Sequence, residues 1–217
     1  MGSLKYVVFN TEIGEVALIW DGDNDVIKQV ILPDESGKYN YSKNNFSGVL
    51  LEENLSDYIM SIIEGIKDVV RGVEVNFNDV ELDFSDLTDF QQKVLEKQLE
   101  IPYQHVVTYK MLAHLIGKDK SARPVANALA SNPFPLIIPC HRTVRADWHV
   151  GGYNGTSDGS VKKFLLEREN VQFDKDVVKK RYRLTYDNLR PSMSVLWFTH
   201  NIFFFKHEFI IIVILLS

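Results

Sequence analysis

Along this chain the hydrophobic positions change period several times, and each change marks an element. Residues 6–9, 16–20 and 26–32 are rich in β-branched and aromatic side chains. With Gly14 and Asp21-Gly22-Asp23-Asn24 between them, they predict strands joined by polar turns. Residues 34–48 are polar and read as loop. From about Glu52 the period lengthens: Leu55, Ile59, Ile62, Ile66 and Val69 recur at helical spacing, and Gly72 supplies a stop. Residues 73–84 return to a strand-like alternation, and residues 85–88 read as a linker. Thr88 and Gln91 have capping-box spacing and predict a helix through about Leu99, with Phe90, Val94 and Leu95 on its core face. Thr108 would cap a short helix ending near Leu115. Residues 117–120 make a polar turn, and a third helix follows from Ala122 to Ala130, with Pro124 tolerated in its first turn. Two short helices joined by a tight glycine-containing turn match a helix-turn-helix. Leu136-Ile137-Ile138 reads as a short buried strand. Residues 161–169 predict a last helix, with Phe164 and Leu165 inward.

These elements predict a mixed α/β (α+β) fold. A small N-terminal α/β domain, residues 1–85, carries no catalytic motif and serves as scaffold. A mainly helical domain with the helix-turn-helix spans residues 86–170, and residues 171–217 form an unassigned extension. Charge sharpens the division. The net charge is −5, but the first 85 residues alone carry 16 acidic and 6 basic side chains, a net of −10. Residues 86–170 are at +2 and residues 171–217 at +3, so the later part can face a phosphate backbone without strong repulsion. The 122–130 helix offers Ala122, Ala126 and Ala130 at four-residue spacing, with Val125 and Leu129 on a second stripe. Such small side chains suit close approach to a narrow groove and suit base-specific hydrogen bonding poorly; an ordinary packing helix would look the same. Residues 179–183 are basic with one aromatic and read as a solvated segment. The uncharged apolar run 209–216 is shorter than the ~20 residues a bilayer requires, so no membrane partner is expected. The first residues lack the apolar region of a signal peptide, which makes an intracellular location the default.

Cys140 is the single cysteine, so no disulfide within the chain and no cysteine cluster for zinc can form. A thiol is a useful nucleophile only as the thiolate, and an ordinary cysteine, with a pKa of about 8.5, is mostly protonated at neutral pH. His141 and Arg142 follow directly and could shift that balance. Adjacency alone also fits an inert buried cysteine, because sequence neighbours need not be spatial partners. The loop Gly151-Gly152-Tyr153-Asn154-Gly155 lacks the spacing of a nucleotide-binding fingerprint, but beside a reactive thiol it could wall a base pocket.

Asn132-Pro133, then Ile138-Pro139-Cys140-His141-Arg142 and Gly151-Gly152-Tyr153, resemble the O6-alkylguanine-DNA alkyltransferases. Phe90-Gln91, Ile101-Pro102-Tyr103, Val107-Thr108-Tyr109, Leu112-Ala113, Ala122-Arg123 and Leu165-Leu166-Glu167-Arg168-Glu169 occur in the family's order. The likeness covers roughly residues 87–170. It implies a DNA-repair enzyme that moves an alkyl group from O6-alkylguanine, with O4-alkylthymine as a second candidate, to Cys140 in a single turnover. His141 would accept the thiol proton through a water and Glu169 would hold its ring. Tyr109 would donate to the leaving guanine, and Asn132 would fix the turn beside the cysteine. Arg123 would fill the space of a flipped base, and Ala122, Ala126, Asn127, Ala130 and Thr108 would meet DNA. Val150, Gly151, Gly152, Tyr153 and Asn154 would contact the base. The resemblance implies no cofactor and no metal. The implied partner is double-stranded DNA bound regardless of sequence by a monomer, in the cytoplasm, or in the nucleus of a eukaryote. Three departures stand out. Gln104 occupies a place where relatives often have glycine, and Pro124 follows the arginine where alanine is common. Asp147-Trp148-His149 is bulkier than the usual glycine-containing turn, which would put Trp148 at the pocket mouth. The competing reading is a module that binds the lesion without reacting, although relatives of that kind lack the cysteine. A cysteine hydrolase is weaker still, for want of an acyl site.

Overall fold

Short turns fold the first strands into an antiparallel meander. β1 (Leu4–Thr11) pairs with β2 (Gly14–Asp21) in unbroken register from Leu4 opposite Asp21 to Thr11 opposite Gly14. β2 in turn pairs with β3 (Ile27–Ile31), with a shift of register at Ile19/Trp20. β4 (Leu50–Leu51) joins the far edge parallel to β1, giving the order β3-β2-β1-β4. Val16, Ala17, Leu18, Ile19 and Trp20 are all buried, so the central strand is covered on both faces, as its continuous apolar run requires. The computed structural model describes residues 3–34, 36–38, 50–51, 54–155 and 157–186. Most of the polar stretch 34–48 and the apolar run 209–216 lie outside these.

α1 (Asp57–Arg71) buries Ile59, Ile62, Ile63, Ile66, Val69 and Val70. It begins later than the apolar period suggests, because the Ser56 side chain accepts from the Ile59 N–H and caps it. Gly72 ends it in the left-handed conformation, φ 84°. The strand expected over residues 73–84 does not form. Only Leu82 bridges to Ile27, and Ile27 exchanges two backbone bonds with Glu81 and Asp83. The Asn76 side chain takes the Asn78 N–H, and Val80 N–H closes a turn on Phe77; these local bonds compete with a ladder.

α2 (Asp89–Leu99) starts on the Thr88/Gln91 capping box. β5 (Val107–Thr108) leads into α3 (Tyr109–Leu115), and α4 (Ala122–Ala130) follows a turn in which Gly117 has φ 72°. α3 and α4 pack on each other and on α2 as the helix-turn-helix. β6 (Thr143–Val144) pairs parallel to β5. α5 (Ser160–Arg168) buries Leu165 and Leu166, with Phe164 only half-buried. Beyond the expected domain, β7 (Phe173–Asp174) and β8 (Val177–Val178) form a hairpin. Val106 bonds through its N–H to the Tyr182 carbonyl and through its carbonyl to the Leu184 N–H, both at 2.8 Å. Residues Met1–Leu184 thus form one compact unit. The basic stretch 179–183 is only partly solvated: Tyr182 is buried with Val106, Val144, Leu166, Val171 and Val178, while Lys179, Lys180 and Arg181 are exposed. Among the described residues no helix is long and apolar enough to cross a membrane.

The sheet half braces the loop that carries Cys140. The Val30 N–H donates to the Pro133 carbonyl at 2.8 Å, the rings of Phe84 and Phe134 lie 5.6 Å apart, and the Tyr103 hydroxyl donates to the Gly72 carbonyl. Gly72 also lies against α5: a Cβ there would stand 2.1 Å from the Arg168 carbonyl oxygen. Gly72→Ala therefore combines a left-handed strain with a backbone overlap. It should lower stability by at least about 2 kcal/mol, read as a lower midpoint in urea unfolding.

Candidate active site

The loop before Cys140 is held by side chains. Asn132 Oδ1 accepts from the Phe134 N–H at 2.9 Å and its Nδ2 donates to the Ile138 carbonyl at 3.3 Å. Leu136, Ile137 and Ile138 are buried as expected, but they form a turn and not a strand. Ile138 N–H returns to the Phe134 carbonyl at 2.8 Å, Leu136 has φ 72°, and Pro133, Pro135 and Pro139 have no N–H to offer a ladder. From α2, the fully buried Gln98 donates to the Pro139 carbonyl at 2.8 Å and accepts from the Thr143 hydroxyl at 2.5 Å. Cys140 opens a single 3-10 turn, Cys140–Arg142.

Glu169, at the end of α5, is buried and accepts from three directions. His141 Nε2 lies 2.8 Å from Oε1, Arg142 Nε donates to the same oxygen at 3.0 Å, and the Gln104 N–H reaches Oε2 at 3.1 Å. Gln104 has φ 62°, the region that favours glycine, so the backbone there keeps a glycine-like course. Burial alone would raise the Glu169 pKa, but His141 and Arg142 outweigh it and hold the carboxyl at about 2. Burial pushes His141 below its ordinary value despite the carboxylate. The ring is therefore neutral at pH 7, with its N–H on Nε2 toward Glu169 and its lone pair on Nδ1. That Nδ1 is buried and has no partner among the described residues.

Cys140 forms part of the wall of a cavity of about 250 Å³ shared with Tyr109, Ala126, Ala130, Tyr153 and Lys162. Burial raises the thiol pKa, while hydrogen bonds from Asn132 and Tyr153 and the charge of Lys162 act against it; Sγ is 3.9 Å from the Tyr153 hydroxyl. Burial also lifts Tyr109 to about 12.

The structure brings together Cys140, His141, Glu169, Asn132 and Tyr109. Gly152, Tyr153 and Asn154 line the cavity; Val150 and Gly151 do not. Val150 is buried, with its N–H on the Asp176 carbonyl at 3.3 Å. Trp148 also lies elsewhere. It packs on the Val106 cluster with the Arg183 guanidinium 5.0 Å from its ring, away from the cavity's lining. α4 exposes Arg123, Asn127 and Ala130, with Ala122 and Ala126 half-buried. Thr108 is buried and its hydroxyl caps α3 by accepting from the Met111 N–H. Two site residues escaped the sequence reading, Gln98 and Lys162. Each is a polar position on an apolar helix face: Gln98 follows Val94 and Leu95, and Lys162 precedes Leu165, Leu166 and Glu169 at helical spacing.

Fold and site thus define a helix-turn-helix protein with a single buried cysteine in a cavity beside a histidine–glutamate pair. A family model described as "6-O-methylguanine DNA methyltransferase, DNA binding domain" matches residues 89–171. The methylated-DNA–protein-cysteine methyltransferase of Methanothermobacter thermautotrophicus is 34% identical over 160 residues, covering 74% of this chain and 82% of that protein. A probable methylated-DNA–protein-cysteine methyltransferase of Acanthamoeba polyphaga mimivirus is 32% identical over 169 residues, 78% of this chain and 100% of that one. Among solved structures, the Mycobacterium tuberculosis O6-methylguanine methyltransferase superposes with a TM-score of 0.62 at 29% identity, over 76% of this chain and 92% of that chain. Its complex with DNA gives 0.61 at 28%, with the same coverage. The chain belongs to the methylated-DNA–protein-cysteine methyltransferase family.

The Glu169 centre sets an acid limit on stability. Its pKa is lower folded than unfolded, so its contribution is complete above the ordinary 4.5 and disappears as pH falls toward 2; in full this amounts to about 3 kcal/mol. Between pH 6 and pH 3 the unfolding free energy should fall more steeply in wild type than in Glu169→Gln, by about 2 kcal/mol. Equal slopes in urea titrations would contradict the assignment.

Proposed function

We propose that this protein repairs DNA directly, taking the alkyl group from the O6 atom of guanine onto Cys140. The observation that carries the reading is one cavity that joins the thiol to the small-residue face of α4. Cys140 is only 6% exposed, so a stacked base cannot reach it. The damaged nucleotide must rotate out of the duplex, at a cost of a few kcal/mol that is smaller for a mispaired base. Arg123, exposed at the start of α4, occupies the vacated space. The alanine stripe permits close approach without reading sequence, so binding depends on phosphates and weakens with salt. The protein acts as a monomer on double-stranded DNA, in the cytoplasm or nucleus where DNA is found. O4-alkylthymine presents the same oxygen-bound alkyl group on a smaller ring and is a second substrate.

In the reaction the thiol proton passes through a bridging water to His141 Nδ1, and Glu169 stabilises the imidazolium that results. The sulfur lone pair forms a bond to the alkyl carbon as the carbon–O6 bond breaks, and the electron pair leaves with guanine. Tyr109 donates a hydrogen bond to the departing base. Asn132 keeps the turn that aims Sγ, and Gly152, Tyr153 and Asn154 contact the base. The product at Cys140 is a thioether. It has no carbonyl for water to attack, and no second cysteine exists to displace it, so each molecule works once.

Intact-mass measurement after mixing with excess O6-methylguanine DNA should show one added methyl group per protein, on Cys140, and repaired lesions should plateau at one equivalent. Cys140→Ala should bind the same DNA and gain nothing. A wild-type protein that binds but gains no mass would instead be a lesion-binding module. Arg123→Ala should slow repair in duplex DNA by at least about tenfold, roughly 1.4 kcal/mol of the extrusion cost, while reaction with the free O6-alkylguanine base stays near wild type. Equal slowing of both would remove Arg123 from base extrusion.

A further inference from the structure

α2 carries one polar side chain on its buried face. Gln98 follows Val94 and Leu95 there, and all three are fully buried. A leucine in its place would extend the apolar face and leave no polar atom to satisfy. A buried amide costs free energy unless its groups are matched, and both halves of this one are. Nε2 donates to the Pro139 carbonyl at 2.8 Å, and Oε1 accepts from the Thr143 hydroxyl at 2.5 Å. The amide is not free to turn over. A carbonyl can only accept, so the NH2 end must face Pro139, and the oxygen end is left to receive the hydroxyl.

Pro139 and Thr143 are the two residues that flank Cys140–Arg142, the 3-10 turn that carries the thiol. The turn itself closes with two backbone bonds, from the Arg142 N–H to the Pro139 carbonyl at 3.0 Å and from the Thr143 N–H to the Cys140 carbonyl. A single turn of this kind has poor hydrogen-bond geometry and holds its shape weakly alone. Glu169 holds its middle, through His141 and Arg142. Gln98 holds both its ends. The same side of α2 also reaches α4. Gln91, two turns before Gln98, donates through Nε2 to Ser131 Oγ at 3.3 Å, and Ser131 is the C-cap of α4. One helix is thus bonded both to the end of α4 and to the turn of the thiol, and α4 and Cys140 share the wall of one cavity.

We propose that Gln98 is a positioning residue for the alkyl transfer: by stapling Pro139 to Thr143 it sets the direction in which Cys140 Sγ faces the base, in a frame shared with α4. This rests on the reading of Cys140 as the nucleophile. Displacement at an alkyl carbon requires the sulfur to lie in line with the carbon–O6 bond. A base held between α4 and the loop of Gly152, Tyr153 and Asn154 cannot turn to meet a misaimed sulfur, and a misplacement of about 1 Å can cost roughly a hundredfold in rate.

The experiment compares methyl transfer from saturating O6-methylguanine DNA with alkylation of the same thiol by iodoacetamide. The base arrives in one fixed pose, whereas the small reagent can approach from any open direction. The double variant Gln98→Leu, Thr143→Val replaces both polar partners by apolar groups of similar shape, so its urea midpoint and its DNA affinity should stay near wild type. Its rate constant for methyl transfer should fall by at least about tenfold, while its iodoacetamide rate changes by less than about threefold. Thr143→Val alone makes the same test with a smaller change to the core. It should lose at least about threefold in transfer, and Thr143→Ser, which restores the hydroxyl, should recover that loss. Wild-type transfer rates in both the double variant and Thr143→Val overturn the proposal. So does a loss shared equally by the two reactions, or one that appears as weaker DNA binding, because a loosened core and not the aim of the sulfur would then be its cause. Wild type that takes no methyl group would overturn the repair reading and this proposal with it.

Discussion

A single buried carboxylate, Glu169, holds the site in place. Removing it from water is costly, and three donors from separate parts of the chain offset that cost: an imidazole, a guanidinium and a backbone N–H. Each donor is fixed in return. The 3-10 turn that presents Cys140 cannot shift without breaking the His141 and Arg142 bonds, and the loop before β5 is pinned through Gln104. Arg142 also donates to the Ile101 carbonyl at 2.8 Å and lies 5.8 Å from the Tyr103 ring centroid. Tyr103 in turn reaches the end of α1. One electrostatic centre therefore connects the thiol to the N-terminal sheet half.

In the proposed reaction the same centre makes the histidine a base. A ring that donates through Nε2 to an ionised partner has no choice of tautomer, and its free lone pair must sit on Nδ1. Burial supplies the second condition by keeping the ring uncharged until a proton arrives. Histidine and carboxylate would divide the work there: one receives the thiol proton, and the other keeps the receiver in register.

Elements governed by local rules were legible in the sequence. The Thr88 capping box, the Thr108 cap and the four-residue alanine spacing each fixed a helix, because the bonds that define a cap or a turn lie within a few residues. Residues 73–84 and 136–138 were misread for one reason. An apolar pattern, alternating in residues 73–84 and continuous in 136–138, looks the same in a strand and in an extended or turning segment, and only a ladder partner decides between them. Prolines 133, 135 and 139 were the available warning. Cys140 and Glu169 could be joined only through a family resemblance, since 28 residues separate His141 from its carboxylate. Lys162 and Gln98 went unread because a polar residue on a buried face makes sense only once its partner is known. Trp148 was misplaced because its bulk was assigned to the pocket. The Val106 cluster that receives it, together with Arg183, is completed by residues beyond the resemblance.

The lining of the cavity includes Ala126, Ala130, Gly152 and Gly155, positions where little or no side chain remains to trim. Larger side chains there would narrow the cavity, and along these positions its width is set almost wholly by the main chain. A lineage could readily evolve toward a choosier enzyme through these four positions. Becoming more permissive would have to go through the lining positions that still carry bulk, such as Leu129, Tyr153 and Asn154.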